Sequence, residues 1–257
     1  MKKDNGQSLS HVQLNSLLQK GSLSRRSLLK MLSAGAVLSS GIIGFPELAI
    51  AESAPLKGGK MRAAMSNSSA TDTLDPAKAN NSADYTRQFM FYNALTEIDD
   101  QLVAKPALAS SVHSDDGISW QITLRPGVSF HHGKSLTADD VVWSLARHKD
   151  QAVASNVFAL AQQFKTISAV NPQQVSIVLE GANFDLPLML ALPSFLIVPA
   201  NTTDFSKGIG TGPFVCQTFV PGMHTIGTRN PDYWKPGLPH LDQLELLGVS
   251  DQAARVN

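Results

Sequence analysis

The chain has 257 residues, of which 43% are hydrophobic and 16% are charged, a balance typical of a globular protein and not of a disordered one. Its 21 basic and 21 acidic residues cancel, but six basic and two acidic residues lie within the first 51 positions, so 15 basic and 19 acidic residues remain beyond them. This mildly acidic remainder disfavours nonspecific binding to nucleic acid, and the single cysteine, Cys216, excludes an intrachain disulfide.

The N-terminal segment has the order of an export signal. Arg25 and Arg26 form a twin-arginine motif, an uncharged stretch covers residues 31–46, and small residues precede a cleavage position after Ala51. The alternative, an amphipathic helix followed by a membrane anchor, fits less well because glycines and a proline interrupt a weakly hydrophobic stretch. We therefore predict a twin-arginine signal peptide over residues 1–51, recognition by the twin-arginine translocase, and a periplasmic location.

The first predicted elements after the signal are a strand, a helix and a second strand. The strand covers Lys60–Met65 and leads through a polar loop to a turn at Asp75. Apolar side chains spaced three to four positions apart predict a helix over residues 83–95. Strict alternation of apolar and polar residues predicts a strand over residues 118–124, with Trp120 on its buried face.

The middle of the chain is predicted to contain two helices and a strand pair. Thr137 and Asp140 have the spacing of a capping box, so we predict a helix from this point to about Lys149. A second helix is predicted over residues 152–164. Two paired strands follow, over residues 167–170 and 175–179.

The last third of the chain is predicted to hold a buried segment and three strands. The apolar segment over residues 186–198 contains two prolines and is too short to span a membrane, so we predict a core segment. Strands are predicted at Phe214–Val220 and His224–Arg229, joined by a Pro-Gly turn, and near residues 241–249. Ser250 has the position of a helix cap, and the chain ends soon afterwards without a stop signal, which we interpret as a cut.

Six blocks of residues carry a family resemblance. They are residues 74–76 (LDP), 92–95 (YNAL), 124–133 (LRPGVSFHHG), 136–142 (LTADDVV), 210–214 (GTGPF) and 229–234 (RNPDYW). In this order, over about 160 residues, they resemble the dipeptide, oligopeptide and nickel class of extracellular solute-binding proteins that serve ABC transporters.

The resemblance implies an α/β fold of two lobes, the periplasmic-binding-protein-like bilobal fold, in which the ligand is enclosed between the lobes. Carried over to this sequence, it places domain I in residues 52–85 and 208–257 and an inserted domain II in residues 86–207. The second lobe and the strands that return from it are not found. We therefore expect only the first lobe, truncated before the second.

Ligand contacts are expected, by the same resemblance, from loops that face the cleft between the lobes. These loops contribute Asn80, Asn81, Tyr85, Asn156, Phe158, Ser194 and Phe195. Roles in solvated loops or in the core are equally open to these residues. Tyr233 and Trp234 could stack on a ligand, but the resemblance favours a packing role for them.

Three other groups invite a chemical interpretation, and a structural one is favoured for each. The adjacent histidines 131–132 point to opposite faces of a strand and are poorly placed to chelate one metal ion. Gly210 and Gly212 lack the Gly-Lys-Ser/Thr continuation of a phosphate loop, and they suit close backbone packing near the interdomain crossover. Asp139 and Asp140 are explained by helix capping rather than by acid–base catalysis.

The sequence therefore predicts the solute-binding component of an ABC import system, for peptides or similar small polar solutes, which closes by a hinge around its ligand. Its expected partners are that ligand, the ABC transporter membrane subunits and the translocase. We expect a monomer with no cofactor, no metal site and no nucleic acid. A secreted hydrolase is the rival class, but the Gly-x-Ser-x-Gly, His-Glu-x-x-His and Cys-x-x-Cys motifs are absent. A nonfunctional truncated remnant shares every motif with the leading interpretation and stays open.

Overall fold

The computed structural model describes residues 55–249, which belong to one compact unit over Ala54–Asn257. Among the described residues, no helix is both long and apolar enough to cross a membrane. The twin-arginine pair at 25–26, the cleavage position after Ala51 and the helix cap at Ser250 lie outside the described residues. The interpretations of these three features stay predictions.

This part of the chain contains ten strands and four short α-helices among the described residues. The strands within residues 55–249 are β1 (Lys60–Met65), β2 (Thr96–Ile98), β3 (Ala104–Pro106), β4 (Ala109–His113), β5 (Ser119–Leu124), β6 (Phe164–Asn171), β7 (Gln174–Leu179), β8 (Phe214–Val220), β9 (His224–Arg229) and β10 (Gln243–Gly248). The α-helices there are α1 (Ser82–Phe91), α2 (Ala138–Ala146), α3 (Phe158–Ala161) and α4 (Leu186–Met189). Short 3₁₀ turns cover Arg147–Lys149, Gln151–Val153, Pro193–Phe195 and Phe205–Lys207.

One sheet has the strand order β1-β10-β9-β8. Strand β1 runs parallel to β10, with Lys60 opposite Gln243, whereas β9 pairs antiparallel with both β10 and β8. The β8–β9 hairpin has the bounds that the sequence predicts. Its turn contains Gly222 at φ 75°, a left-handed conformation that glycine adopts without strain. The first and last strands of the described chain therefore meet in one sheet.

The second four-stranded sheet, β4-β5-β7-β6, is antiparallel throughout. The alternation predicted for β5 is present, because Trp120, Ile122 and Leu124 are buried while Ser119 and Gln121 are exposed. Helix α2 packs across β6 and β7, and the side chains enclosed between them belong to the larger hydrophobic core. A separate short ladder joins β2 and β3.

Helix α2 begins as its sequence predicts. The Asp140 carboxylate accepts hydrogen bonds from the backbone N–H and from the hydroxyl of Thr137, both at 3.0 Å. Asp140 is completely buried, so capping accounts for it without acid–base chemistry. After Ala146 the helix tightens into the 3₁₀ turn Arg147–Lys149, and the helical path thus reaches the predicted end.

The helix predicted over residues 83–95 is shorter than its pattern indicates. It ends at Phe91, since Tyr92 adopts an extended conformation. The next residue, Asn93, forms an isolated bridge to Ile197. A backbone contact with a distant segment therefore ends this helix, although the apolar spacing continues.

The helix predicted over residues 152–164 is wrong over most of its length. Ala154 takes a left-handed conformation, φ 50°, which interrupts the helical path after Gln151–Val153. Phe164 pairs with Leu179 at the start of β6 and is completely buried. The burial of an aromatic side chain in the sheet overrides a helical spacing here.

A second, smaller core lies between α1 and the first sheet. Residues 208–213, which precede β8 and which we call the crossing segment, pack closely against it. A Cβ atom added to Gly210 would lie 2.0 Å from the carbonyl oxygen of Phe91, and one added to Gly212 would lie 2.4 Å from the carbonyl carbon of Phe91. No side chain fits at such distances. The close backbone packing predicted for these two glycines is confirmed.

The predicted division into domain I and domain II stays a prediction. Met90, Phe91 and Tyr92 belong to the sequence range predicted as the insertion, residues 86–207, yet they pack in the core of the first sheet. The core of the first sheet therefore includes side chains from the predicted insertion.

Candidate functional site

The predicted ligand contacts lie in three segments of the described chain. We call residues 74–85, 155–158 and 193–195 the rim segments. Asn80 and Asn156 are exposed, and Asn81, Tyr85 and Phe158 are half-buried. The first two rim segments thus present both amide groups and aromatic rings to solvent.

Asn81 holds the start of α1 in the first rim segment. Its side-chain oxygen accepts a hydrogen bond from the Asp84 N–H at 3.0 Å, which caps the helix. Its amide nitrogen donates to Oδ1 of Asn80 at 3.2 Å and to Oδ2 of Asp84 at 3.1 Å. The two neighbouring asparagines are therefore ordered by the helix start and are not free in a solvated loop.

The loop before α3 is tied to the first rim segment through two backbone carbonyls. The N–H of Asn156 donates to the carbonyl oxygen of Ala77, and its side-chain nitrogen donates to that of Ala79, both at 2.9 Å. Ala77 and Ala79 are buried. The loop that carries Asn80 and Asn81 therefore sets the position of Asn156.

His148 joins the second rim segment to the third. Its Nδ1 lies 2.7 Å from the hydroxyl oxygen of Ser155, and its ring meets the ring of Phe195 edge-on with 5.1 Å between centroids. Burial lowers the pKa of His148 to about 4, and the neighbouring Arg147 adds to the lowering. The ring is therefore neutral at neutral pH, and Nδ1 can accept a hydrogen bond from the Ser155 hydroxyl.

Phe195 does not fit the role that the sequence suggests for it. Its side chain is 0% exposed and packs against His148 and against Phe164, with 5.8 Å between the two phenyl centroids. It leaves no surface for a ligand, so its role is corrected to core packing. Ser194, which is 7% exposed, lies beside it in the same turn.

The chain matches a family model as well as a set of known folds. Residues 103–257, more than half of the chain, match the model of the bacterial extracellular solute-binding proteins, family 5 Middle. The chain belongs to this family. The family resemblance predicted from the six sequence blocks is thereby confirmed.

Named relatives of this family 5 chain are binding proteins. The glutathione-binding protein GsiB of Escherichia coli strain K12 is 32% identical over 190 residues, which cover 71% of this chain and 37% of GsiB. The binding protein AgaA of A. tumefaciens R10, solved with agropinic acid, superposes with a TM-score of 0.72 at 26% identity, covering 77% of this chain and 41% of AgaA. The oligopeptide-binding protein AppA of Bacillus subtilis, solved with a nonapeptide, superposes with a TM-score of 0.69 at 25% identity, covering 78% of this chain and 42% of AppA.

The family 5 chain thus spans about two fifths of the length of these relatives. The periplasmic-binding-protein-like α/β fold predicted from sequence is confirmed for that part. At the level of the family, the rival interpretation as a secreted hydrolase finds no support, because these relatives are binding proteins and not enzymes.

A buried ion-pair network in this family 5 chain escaped sequence reasoning. Arg87 on α1 is 0% exposed, and its Nη2 and Nη1 lie 2.8 Å from Oδ2 of Asp72 and 3.3 Å from Oδ1 of Asp84. Its Nε donates to the hydroxyl of Thr225 on β9 at 3.1 Å. Burial raises the pKa of Asp84, whereas hydrogen bonds outweigh burial and lower the pKa of Asp72. The network fastens α1, beneath the first rim segment, to the first sheet.

His131 has a structural role, as the sequence suggests. Its Nε2 lies 3.0 Å from the carbonyl oxygen of Gly212, and its Nδ1 accepts a hydrogen bond from the Gly210 N–H at 3.3 Å. Burial lowers the pKa of His131, which favours the neutral ring that this pairing needs. Within residues 55–249, no cluster of three or more metal-ligating side chains is present.

Tyr233 and Trp234 serve packing, as the resemblance indicates. Asn93 donates to the Tyr233 hydroxyl at 3.3 Å and accepts from the indole N–H of Trp234 at 3.0 Å. The hydroxyl of Thr211 donates to the same Asn93 oxygen at 3.1 Å. The two aromatic residues therefore brace the end of α1 and the crossing segment.

An open groove of about 400 Å³ lies beside the third rim segment. Its lining includes Phe89 and Ile98, which are both partly exposed, and Leu192 and Pro193. The lining is mainly apolar, so the groove differs in chemistry from the amide-rich surface of the first two rim segments.

Proposed function

We propose that this chain supplies a ligand-binding surface of the periplasmic component of an ABC import system. The observation that carries the proposal is the joining of the three rim segments, since Asn156 bonds to the first segment and His148 contacts the second and third. The exposed amides of Asn80 and Asn156 supply donors and acceptors, and the half-buried Tyr85 and Phe158 supply aromatic faces. A few polar groups among apolar faces suit a small polar ligand.

A peptide is the ligand class that we propose. GsiB is named for glutathione, a tripeptide, and AppA was solved with a nonapeptide. AgaA was solved with agropinic acid, which makes an opine-type acid the alternative. Amide side chains match the alternating donors and acceptors of a peptide backbone, and this favours the peptide.

The rest of the protein's organisation belongs to the same proposal. We place domain I in residues 52–85 and 208–257 and domain II in residues 86–207. A second lobe, beyond the part of the relatives that this chain spans, would supply the opposite wall of the cleft. The closed form would dock on the ABC transporter membrane subunits, and a twin-arginine signal would deliver a monomer to the periplasm.

Titration calorimetry of the exported protein, in a version that includes the second lobe, tests the proposal. Glutathione, a series of peptides from two to nine residues, agropinic acid and a nickel–histidine complex are titrated in turn. We expect heat of binding with at least one peptide, and about tenfold weaker binding for Asn80→Ala, because a hydrogen bond to the ligand is lost. The matched control is Asn171→Ala, at the exposed end of β6, which should bind like the parent. No heat with any compound would contradict the proposal and leave the nonfunctional remnant.

A further inference from the structure

Helix α2 is a fixed platform behind the rim segments. Its first turn is capped by Asp140, which also accepts a hydrogen bond from the Ala200 N–H at 2.8 Å. In its second turn, the Ser144 hydroxyl donates to the carbonyl oxygen of Val198 at 3.1 Å and accepts from the Val198 N–H at 3.0 Å. Both ends of the helix are thus held by the segment that follows the third rim segment. The 3₁₀ turn that continues it begins with Arg147 and His148.

Arg147 binds the first rim segment through an ion pair with Asp75. Its two terminal nitrogens donate to the two carboxylate oxygens of Asp75 at 2.7 and 3.0 Å. The guanidinium lies between the rings of Trp143 and Phe205, 5.3 and 4.7 Å from their centroids. Asp75 Oδ1 in turn accepts the Ala77 N–H at 3.0 Å. The bidentate pair between the Arg147 guanidinium and the Asp75 carboxylate therefore sets the conformation of the loop whose carbonyl groups hold Asn156.

His148, the next residue, serves the other two rim segments. Its Nδ1 meets the Ser155 hydroxyl, whose oxygen also accepts the Val157 N–H at 3.2 Å. Its ring packs edge-on against Phe195. His148 is 1% exposed, so it acts on a ligand only through these neighbours.

We propose that Arg147 and His148 are positioning residues that fix the spacing of the three rim segments from the 3₁₀ turn that continues α2. Neither residue touches a ligand. One side chain holds the first segment, and the other holds the second and third, so two consecutive residues determine where the exposed amides and rings of the rim stand. A site supported from a rigid element keeps its geometry better than one supported by loops alone. The assignment rests on the proposed function for the role of the rim, whereas its test does not need a ligand.

Amide hydrogen exchange of the exported chain, followed residue by residue by NMR without ligand, tests this assignment. Arg147→Lys keeps the charge and loses the fork, so we expect exchange at Ala77 to become about tenfold faster while Val157 is unchanged. His148→Phe keeps the ring contact with Phe195 and loses Nδ1. We expect about tenfold faster exchange at Val157 with little change at Phe195.

A rescue variant and a matched control separate positioning from general destabilisation. His148→Asn places an amide group near the position of Nδ1, and we expect it to return Val157 to the parent rate. Arg62→Lys is the matched control. It alters the ion pair between Glu245 and Arg62, whose side chain is 66% exposed, and the amides of the rim segments should keep the exchange rates of the parent. Equal acceleration at Ala77, Val157 and the core residue Leu246 in each variant would overturn the assignment, as would unchanged rates at Ala77 and Val157. A calorimetric series without binding would count against the proposed function alone.

Discussion

At the scale of single residues, His148 shows how the fold uses a polar side chain that it buries. The sequence offers no sign of this role, because histidine is intermediate in its tendency to be buried and its partners are not neighbours in the helix. Its partners come from Ser155 and from Phe195, which lie in two different segments. Asp75 and Arg147 are the charged groups that influence it most.

The stability of the chain should fall in mild acid because of His148. Its pKa is about 4 in the folded chain and 6.5 by reference, so between these values the unfolded chain binds a proton that the folded chain does not. The contribution of His148 to the free energy of unfolding is fully present above about pH 6.5. It is lost as the pH falls toward 4, by about 3 kcal/mol in total. Urea unfolding at pH 7 and pH 4.5 should show that the stability difference between the parent and His148→Phe shrinks at the lower pH.

His113→Phe is the matched control for this measurement. His113 has a 71% exposed side chain, and its replacement should retain the pH dependence of the parent. A stability difference between the parent and His148→Phe that is equal at pH 7 and pH 4.5 would contradict the prediction.

At the scale of elements, the chain is organised by close contacts between segments that are distant in sequence. The end of α1, the crossing segment before β8 and the turn that contains His131 meet at Gly210 and Gly212. The N–H of Gly212 donates to the carbonyl oxygen of Phe91 at 2.9 Å. These contacts require a backbone without side chains at both glycines.

Gly210→Ala should therefore damage the fold. The new methyl group would stand 2.0 Å from the Phe91 carbonyl oxygen, and overpacking against backbone costs about 1–3 kcal/mol or more. We expect a fall of at least about 2 kcal/mol in the free energy of unfolding, measured by urea denaturation. Gly181→Ala is the control, because no atom lies within 4 Å of its added Cβ. Equal stability of the two variants would show that the crossing segment moves away freely.

At the scale of the whole molecule, the predicted export and the family 5 fold are separate properties of the chain. The predicted twin-arginine motif, which would act as an address read by a receptor, belongs to the sequence before the described residues. The family 5 fold lies after it, in residues that a family model and solved structures match. Each property can therefore be changed without the other.

Replacing both Arg25 and Arg26 by lysine should stop export. Lysine keeps the positive charge but lacks the planar guanidinium, so a receptor that recognises arginine loses its contacts. We expect the precursor to accumulate in the cytoplasm, as measured by cell fractionation and immunoblotting. The control exchanges Lys2 and Lys3 for arginine in the same segment, and export should continue. Periplasmic protein from the Arg25→Lys, Arg26→Lys double variant would rule out the twin-arginine route.

Local patterns in the sequence determined several strands, the capping box and the family of this protein, whereas the short strands β2, β3 and β4 were not predicted. The bounds of β1, β8 and β9 follow from side-chain alternation and turn residues, and the Thr137–Asp140 spacing is enough to start α2. These features depend on neighbours within a few positions, so no tertiary information is needed to find them.

Only the tertiary structure decided how far the helices run and which candidate residues face solvent. The sequence predicts a helix at Phe164 and a ligand contact at Phe195, but both side chains are buried and their rings pack against each other. The grip of Arg147 on Asp75 and the burial of Arg87 join positions that are far apart in the chain. Such pairings depend on how segments pack in space. They cannot be predicted from the spacing of residues along the chain.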